Sequence, residues 1–161
     1  SDVKVSCAIG FPLGAADADV KRYEVEAALD SGAQILEVAA NLGLVKDGDA
    51  AALLRELRDI VEAADERPVS IGFDPQLLHG DELAQLCRLV VEAGAKGVSI
   101  AGHADTAVSV QSARQIAAAT GGNFGLKVDC HSVARADIVA LLDAGVTRFG
   151  RADGVRLLTS L

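Results

Sequence analysis

Apolar residues along this chain fall into two alternating patterns. Short runs rich in valine and isoleucine, at Val3–Ile9, Ile35–Ala40, Val69–Phe73, Gly97–Ala101, Phe124–Val128 and Val146–Phe149, read as buried strands. Between them lie amphipathic segments of helical period, at Val20–Leu29, Ala50–Ala63, Leu83–Val91, Ala107–Ala119 and Ala134–Leu142. Terminal signals agree with these boundaries. Asp81 and Ser132 stand where helix N-caps belong, and Gly32, Gly94 and Gly145 stand just past helix ends. Ser31-Gly32-Ala33, Ala93-Gly94-Ala95 and Ala144-Gly145-Val146 each close a helix and launch a strand. The strict alternation, at the spacing of one βα unit, predicts a parallel sheet of about six strands.

Two architectures fit that alternation. A doubly wound dinucleotide fold calls for G-x-G-x-x-G after the first strand, and Gly10-Phe11-Pro12-Leu13-Gly14 does not match it. A closed (β/α)8 barrel calls for about 200 residues or more, so the chain would supply about six of its eight units.

Composition narrows the class. The 161 residues are half hydrophobic, with 3% aromatics and a net charge of −8, which describes one globular domain over 1–161 with a core of small aliphatic side chains. Disorder is excluded at a mean hydropathy of +0.30. The longest apolar runs, such as Ala50–Leu54, fall far below the roughly 18 residues of a membrane span, and Asp2 and Lys4 interrupt any secretory core. A cytoplasmic location and no membrane partner are therefore expected. Fifteen basic against 23 acidic residues, with one tyrosine and no tryptophan, leave no footprint for nucleic acid. Cys7, Cys87 and Cys130 are odd in number and widely spaced, which argues for free thiols in a reducing compartment. The absence of methionine implies that the chain begins after processing or a cut.

Specific motifs go further. VKVSCAIGFPLG over Val3–Gly14 resembles the V-x-V-x-T-V-I-G-F-P-x-G of the third strand and loop of the deoxyribose-phosphate aldolase family. GAQILEVAANLGLVKDGD over Gly32–Asp49 resembles the family's fourth strand and loop, including Asn41, Gly43, Lys46, Gly48 and Asp49. Gly94-Ala95-Lys96-Gly97-Val98 resembles the approach to the sixth strand, Gly125-Leu126-Lys127 the seventh, and Ala144–Gly150 the eighth. The resemblance implies an α/β fold of (β/α)8 TIM-barrel type, represented by about six βα units, with the family's first two units absent before Ser1. Apolar edges at Val3–Ile9 and Val146–Phe149 would then call for a cover: a preceding segment, a partner chain or a homo-oligomer.

The resemblance also implies where chemistry sits. Family members make or break a carbon–carbon bond through a Schiff base on a sixth-strand lysine, with a second lysine on the seventh strand and a carboxylate on the fourth. Glu37 stands at the carboxylate position, Lys127 at the seventh-strand lysine, and Ser99 where the Schiff-base lysine belongs. Serine forms no iminium, so the family's usual chemistry is expected to be absent or altered. All three side chains should converge at strand C-termini. Glu37 and Lys127 either pair inside the barrel or react there, Glu37 shuttling a proton and Lys127 acting as imine-forming amine or fixed cation.

Substrate-binding candidates are Asn41, Asp129, His131, Gly150 and Arg151. The phosphate-holding turns of the family are not intact at Val128–Ser132 or Gly150–Gly154, although Arg151, His131 and the Ser132 cap could attract an anion. Asp74-Pro75 reads as a turn, and His79, His103 and His131 as loop histidines rather than a metal triad. Adjacent Cys130 and His131 would point opposite ways on an extended segment, against a thiol–base pair. No cofactor and no metal are expected. Two functions remain: a divergent lyase acting on a small, possibly phosphorylated, carbonyl compound, or a non-catalytic relative serving as a binding or structural subunit.

Overall fold

A computed structural model describes residues 3–101, 109–122, 124–129 and 135–150. The chain runs β1 (Ser6–Ile9), α1 (Ala18–Asp30), β2 (Ile35–Ala39), α2 (Leu42–Lys46), α3 (Ala50–Ala63), β3 (Val69–Phe73), a 3-10 turn (Pro75–Leu77), α4 (Gly80–Glu92), β4 (Gly97–Ala101), α5 (Val110–Thr120), β5 (Gly125–Asp129), α6 (Arg135–Asp143) and β6 (Arg148–Gly150). All six strands are parallel and pair in sequence order, β1 to β6. The helices pack neighbour on neighbour, α1 on α3, α3 on α4, α4 on α5 and α5 on α6. Strand order never reverses, so this is a curled partial barrel with one helical layer, not a doubly wound sheet.

Period-two alternation assigns the two faces of the sheet. Leu36, Val38, Ile71, Phe73, Val98, Ile100, Leu126 and Val128 alternate along their strands and are buried in the aliphatic core beneath the helices. Helix residues Val25, Leu57, Ile60, Leu86, Val90 and Ile116 complete that layer. The opposite face carries Ser6, Glu37, Ser70, Gly72, Gly97, Ser99, Gly125, Lys127, Asp129 and Arg148, small or polar residues lining the lumen. The Phe11 ring fills the space that a side chain on Gly72 would occupy.

Several boundaries differ from the sequence expectation. Helix α2 is too short to show a period, and it forms because the Asn41 side chain accepts from Leu44 N–H at 3.2 Å. Helix α4 starts earlier than expected. Asp81 lies in its first turn rather than at the cap, while Glu82 reaches back to accept from His79 N–H at 2.7 Å. Ser109 caps α5 through Gln111 and Ser112, so that helix starts at Val110 rather than Ala107. β1 starts at Ser6 and β6 at Arg148; Val146 is buried at the end of α6, its N–H bonded to Leu141 C=O at 3.0 Å. The Ser132 cap lies outside the described residues. Gly32, Gly94 and Gly145 take the left-handed conformation past their helices, as expected.

A buried ion pair ties the strand-to-helix loops together. Lys21 of α1, with a fully buried side chain, donates to Glu56 of α3 at 2.5 Å and to Gly14 C=O at 2.7 Å. Glu56, 5% exposed, also accepts from Asn41 Nδ2 at 3.3 Å. Gly14 itself has φ +61°, and a side chain there would overlap the carbonyls of Ala39 and Ala40. Two loops and two helices thus share one polar knot. Among the described residues no helix is long and apolar enough to cross a membrane.

Removing one partner of this pair strands the other charge. Lys21→Met should cost about 3 kcal/mol or more in urea unfolding, whereas Lys21→Met with Glu56→Leu should recover much of the loss. Equal stability of the single and double variants would show that the pair is not coupled.

Candidate active site

Five lumen side chains meet across the sheet. Lys127 of β5 donates to both carboxylate oxygens of Glu37 on β2, each at 2.8 Å. Ser99 of β4 donates to Glu37 Oε2 at 3.1 Å, and Ser6 of β1 to Oε1 at 3.3 Å. Lys127 also contacts the Asp129 carboxylate, at 3.0 Å to Oδ1. Exposure falls from 36% at Asp129 to 20% at Lys127 and 12% at Glu37. Asp129 therefore stands nearer solvent and Glu37 at the inner end.

The expected trio does converge, but not at the strand ends. Glu37, Ser99 and Lys127 occupy the middle residue of their strands, and only Asp129 and Gly150 sit at C-termini. A side chain on Gly150 would collide with the Asp129 carboxylate, so glycine there keeps the mouth open beside it.

Electrostatics distinguish the two roles foreseen for Lys127. Burial alone would pull its pKa down, but the hydrogen bonds to Glu37 and Asp129 outweigh burial, and the pKa stands above the ordinary lysine value. In this arrangement Lys127 is an ammonium held by two carboxylates, not a free amine. The cluster keeps one excess negative charge.

Other candidates are placed differently. Asn41 is engaged in capping α2 and in bonding Glu56, behind the lumen rather than in it. Asp74 takes part in the turn, where its Oδ1 accepts from Gln76 N–H at 2.9 Å. His79 is the N-cap residue of α4. His103, Cys130, His131 and Arg151 lie outside the described residues. Among the motif positions, Asp49 caps α3, and Lys46 bonds Glu82 at 2.6 Å, a contact that holds the Glu82 pKa below the usual carboxylate range. Cys7 and Cys87 are free thiols, and burial pushes Cys87 up to about 12. Ser6 and Arg148 were not singled out from sequence, although each shares the parity of an inward neighbour: Ser6 with Ala8, Arg148 with Gly150.

Comparison with known proteins bears on the family and the fold. The chain is 32% identical over 159 residues to proteins named deoxyribose-phosphate aldolase from Streptococcus equi subsp. zooepidemicus and Streptococcus uberis, covering 98% of this chain and 72% of each relative. No family model matches. Among solved structures it resembles an aldolase called QR15, with a TM-score of 0.86 and 26% identity over 96% of this chain and 71% of that one. It also resembles the tetrameric deoxyribose phosphate aldolase of Aeropyrum pernix, with a TM-score of 0.81 and 27% identity over 98% and 68%.

The raised Lys127 pKa has a definite pH signature. A lysine whose pKa is raised by folding stabilises the native state fully below its unfolded value, near 10.5, and loses that contribution as pH climbs through the folded value. Lys127→Met should therefore cost about 3 kcal/mol at neutral pH by leaving Glu37 unpaired, and the deficit should shrink above pH ~10.5. Urea titrations from pH 6 to about 11 measure it; a deficit that grew with pH would reverse the assignment.

Proposed function

Because the chain belongs to the deoxyribose-phosphate aldolase family, we propose that it is a divergent carbon–carbon lyase acting on a small β-hydroxy carbonyl compound. The observation that carries this reading is the Lys127 ammonium held in the lumen between Glu37 and Asp129, 2.8 and 3.0 Å away. By the family resemblance, Ser99 takes the place of the Schiff-base lysine, so the usual imine has no amine to form on. Lys127 acts instead as a fixed cation that stabilises a developing oxyanion.

In the cleavage direction Asp129, the more exposed carboxylate, removes the proton of the β-hydroxyl. The oxygen's electron pair forms the product carbonyl as the carbon–carbon bond breaks. The bonding pair moves into the adjacent carbonyl, giving an enolate whose oxygen is stabilised by Lys127. The enolate carbon then takes the proton back from Asp129, releasing two carbonyl products with no external oxidant or reductant. Glu37, already accepting from Ser6, Ser99 and Lys127, is less exposed and positions the ammonium.

An assembled state is part of the proposal. Val3, Val5 and Leu13 are exposed beside β1, and the relative from Aeropyrum pernix is tetrameric. Light scattering is expected to give a mass above 16.5 kDa, and a monodisperse monomer would remove this part.

The catalytic test uses deoxyribose 5-phosphate and the unphosphorylated acetaldehyde adduct 3-hydroxybutanal, with release of acetaldehyde as readout. Slow release is expected from at least one, with kcat falling about 100-fold or more in Lys127→Met and Asp129→Asn. Borohydride should trap no adduct. Trapping on Lys127 would replace the fixed-cation mechanism by an imine, and silence toward both compounds would favour the non-catalytic reading.

A further inference from the structure

One layer below the Glu37–Lys127 pair, the lumen holds a second cation with a different environment. Gly97 and Gly125 are register partners on β4 and β5, two residues before Ser99 and Lys127 and therefore about 6.6 Å nearer the strand N-termini. Arg148 enters β6 opposite Lys127, yet its guanidinium reaches back over these glycines. A Cβ built on Gly97 would lie 3.3 Å from Arg148 Nη2, and one built on Gly125 would lie 3.2 Å from it. The same Cβ on Gly97 would lie 2.8 Å from Ser70 Oγ. Glycine at both positions leaves the space that guanidinium and hydroxyl share.

Neither group has a partner among the described residues. Arg148 forms no ion pair or hydrogen bond there, although the chain carries eight excess negative charges. The Ser70 hydroxyl is in a residue only 3% exposed and likewise has no acceptor or donor among them. The Ser70 hydroxyl is buried and, among the described residues, unbonded, whereas Arg148 is an exposed residue, so a small anion can reach its guanidinium from solvent. Lys127, in contrast, is shared by two carboxylates. Glu37, in register with Ser70, turns its carboxylate to Lys127 and away from this floor.

We propose that Arg148 and Ser70, over the floor formed by Gly97 and Gly125, make a binding site for a small carboxylate anion. The planar fork of a guanidinium matches the two oxygens of a carboxylate, and the Ser70 hydroxyl adds a third donor from the neighbouring side. An anion there would join β3 to β6 through side chains, bracing a last strand only three residues long. The site is separate from the proposed reaction and does not depend on it.

Formate and acetate, with inorganic phosphate and chloride as comparisons, test it on the full chain. Saturable movement of the Arg148 Nε–H signal is expected in 15N-resolved NMR with formate and acetate, accompanied by a rise in Tm. Arg148→Lys keeps the charge but loses the fork and should weaken acetate at least tenfold; Ser70→Ala should weaken it several-fold. Arg22→Met, which removes a positive charge from the exposed face of α1, should leave it unchanged. Equal acetate affinity in Arg148→Lys, or no saturable binding, would overturn the assignment. So would a preference for phosphate. An Arg148 Nε–H that is already protected and unmoved by any anion would overturn it too, because a carboxylate of the polypeptide would then hold the guanidinium.

Discussion

The contact between Glu37 and Lys127 sets the shape of the sheet. Their strands, β2 and β5, are separated by β3 and β4, so three strand spacings, about 14 Å, would lie between the two backbones if the sheet were flat. Side chains standing perpendicular to a flat sheet do not close that distance to 2.8 Å. The sheet must curl until its inner faces confront each other, and its inner residues must be small enough to permit it. Ala8, Gly72, Gly97, Gly125 and Gly150 meet that requirement, while the bulky strand aliphatics, Ile35 apart, lie on the outer face. The single helical layer follows, because a curled sheet has only its convex side available for helices.

Within that lumen, charge is arranged unevenly. Two carboxylates confine Lys127 and keep it protonated, so the residue that most resembles an aldolase lysine is poorly disposed to attack a carbonyl as an amine. The hydroxyls of Ser6 and Ser99 both point to the same carboxylate and strengthen this confinement from the opposite side. On the proposed mechanism, a rigid positive centre stands where an imine-forming amine would otherwise act. Such a centre is useful where negative charge develops on oxygen and of little use for forming a carbon–nitrogen bond.

Legibility in the sequence tracked the range of the interactions involved. Val69–Phe73 and Ala50–Ala63 were placed to the residue because their periods are unbroken. Helix α2 leaves no periodic trace because five residues make barely more than one turn, and the motif that contains Asn41 does not report its role as the cap. Lys21 looked like an ordinary polar position of α1. Its burial depends on Glu56, 35 residues away, and no local pattern reports that. Glu37, Ser99 and Lys127 were found through motif register, yet their mid-strand depth depends on the curl of the whole sheet. Arg148 lies within the eighth-strand motif, but nothing local says that glycines on two other strands leave room for its head group.

Gly14 carries a consequence for anyone wishing to reshape the mouth of this lumen by library methods. Its left-handed backbone and its seat against the carbonyls of Ala39 and Ala40 make it a point that no mutagenesis scheme can randomise without moving β2. Its exposed neighbour Leu13 carries no such restriction, and neither do the side chains of Ala15 and Ala16, beyond the pivot. Sequence diversity in this loop should therefore be sought on either side of a fixed hinge pin, with the Lys21 ammonium that grips Gly14's own carbonyl left in place.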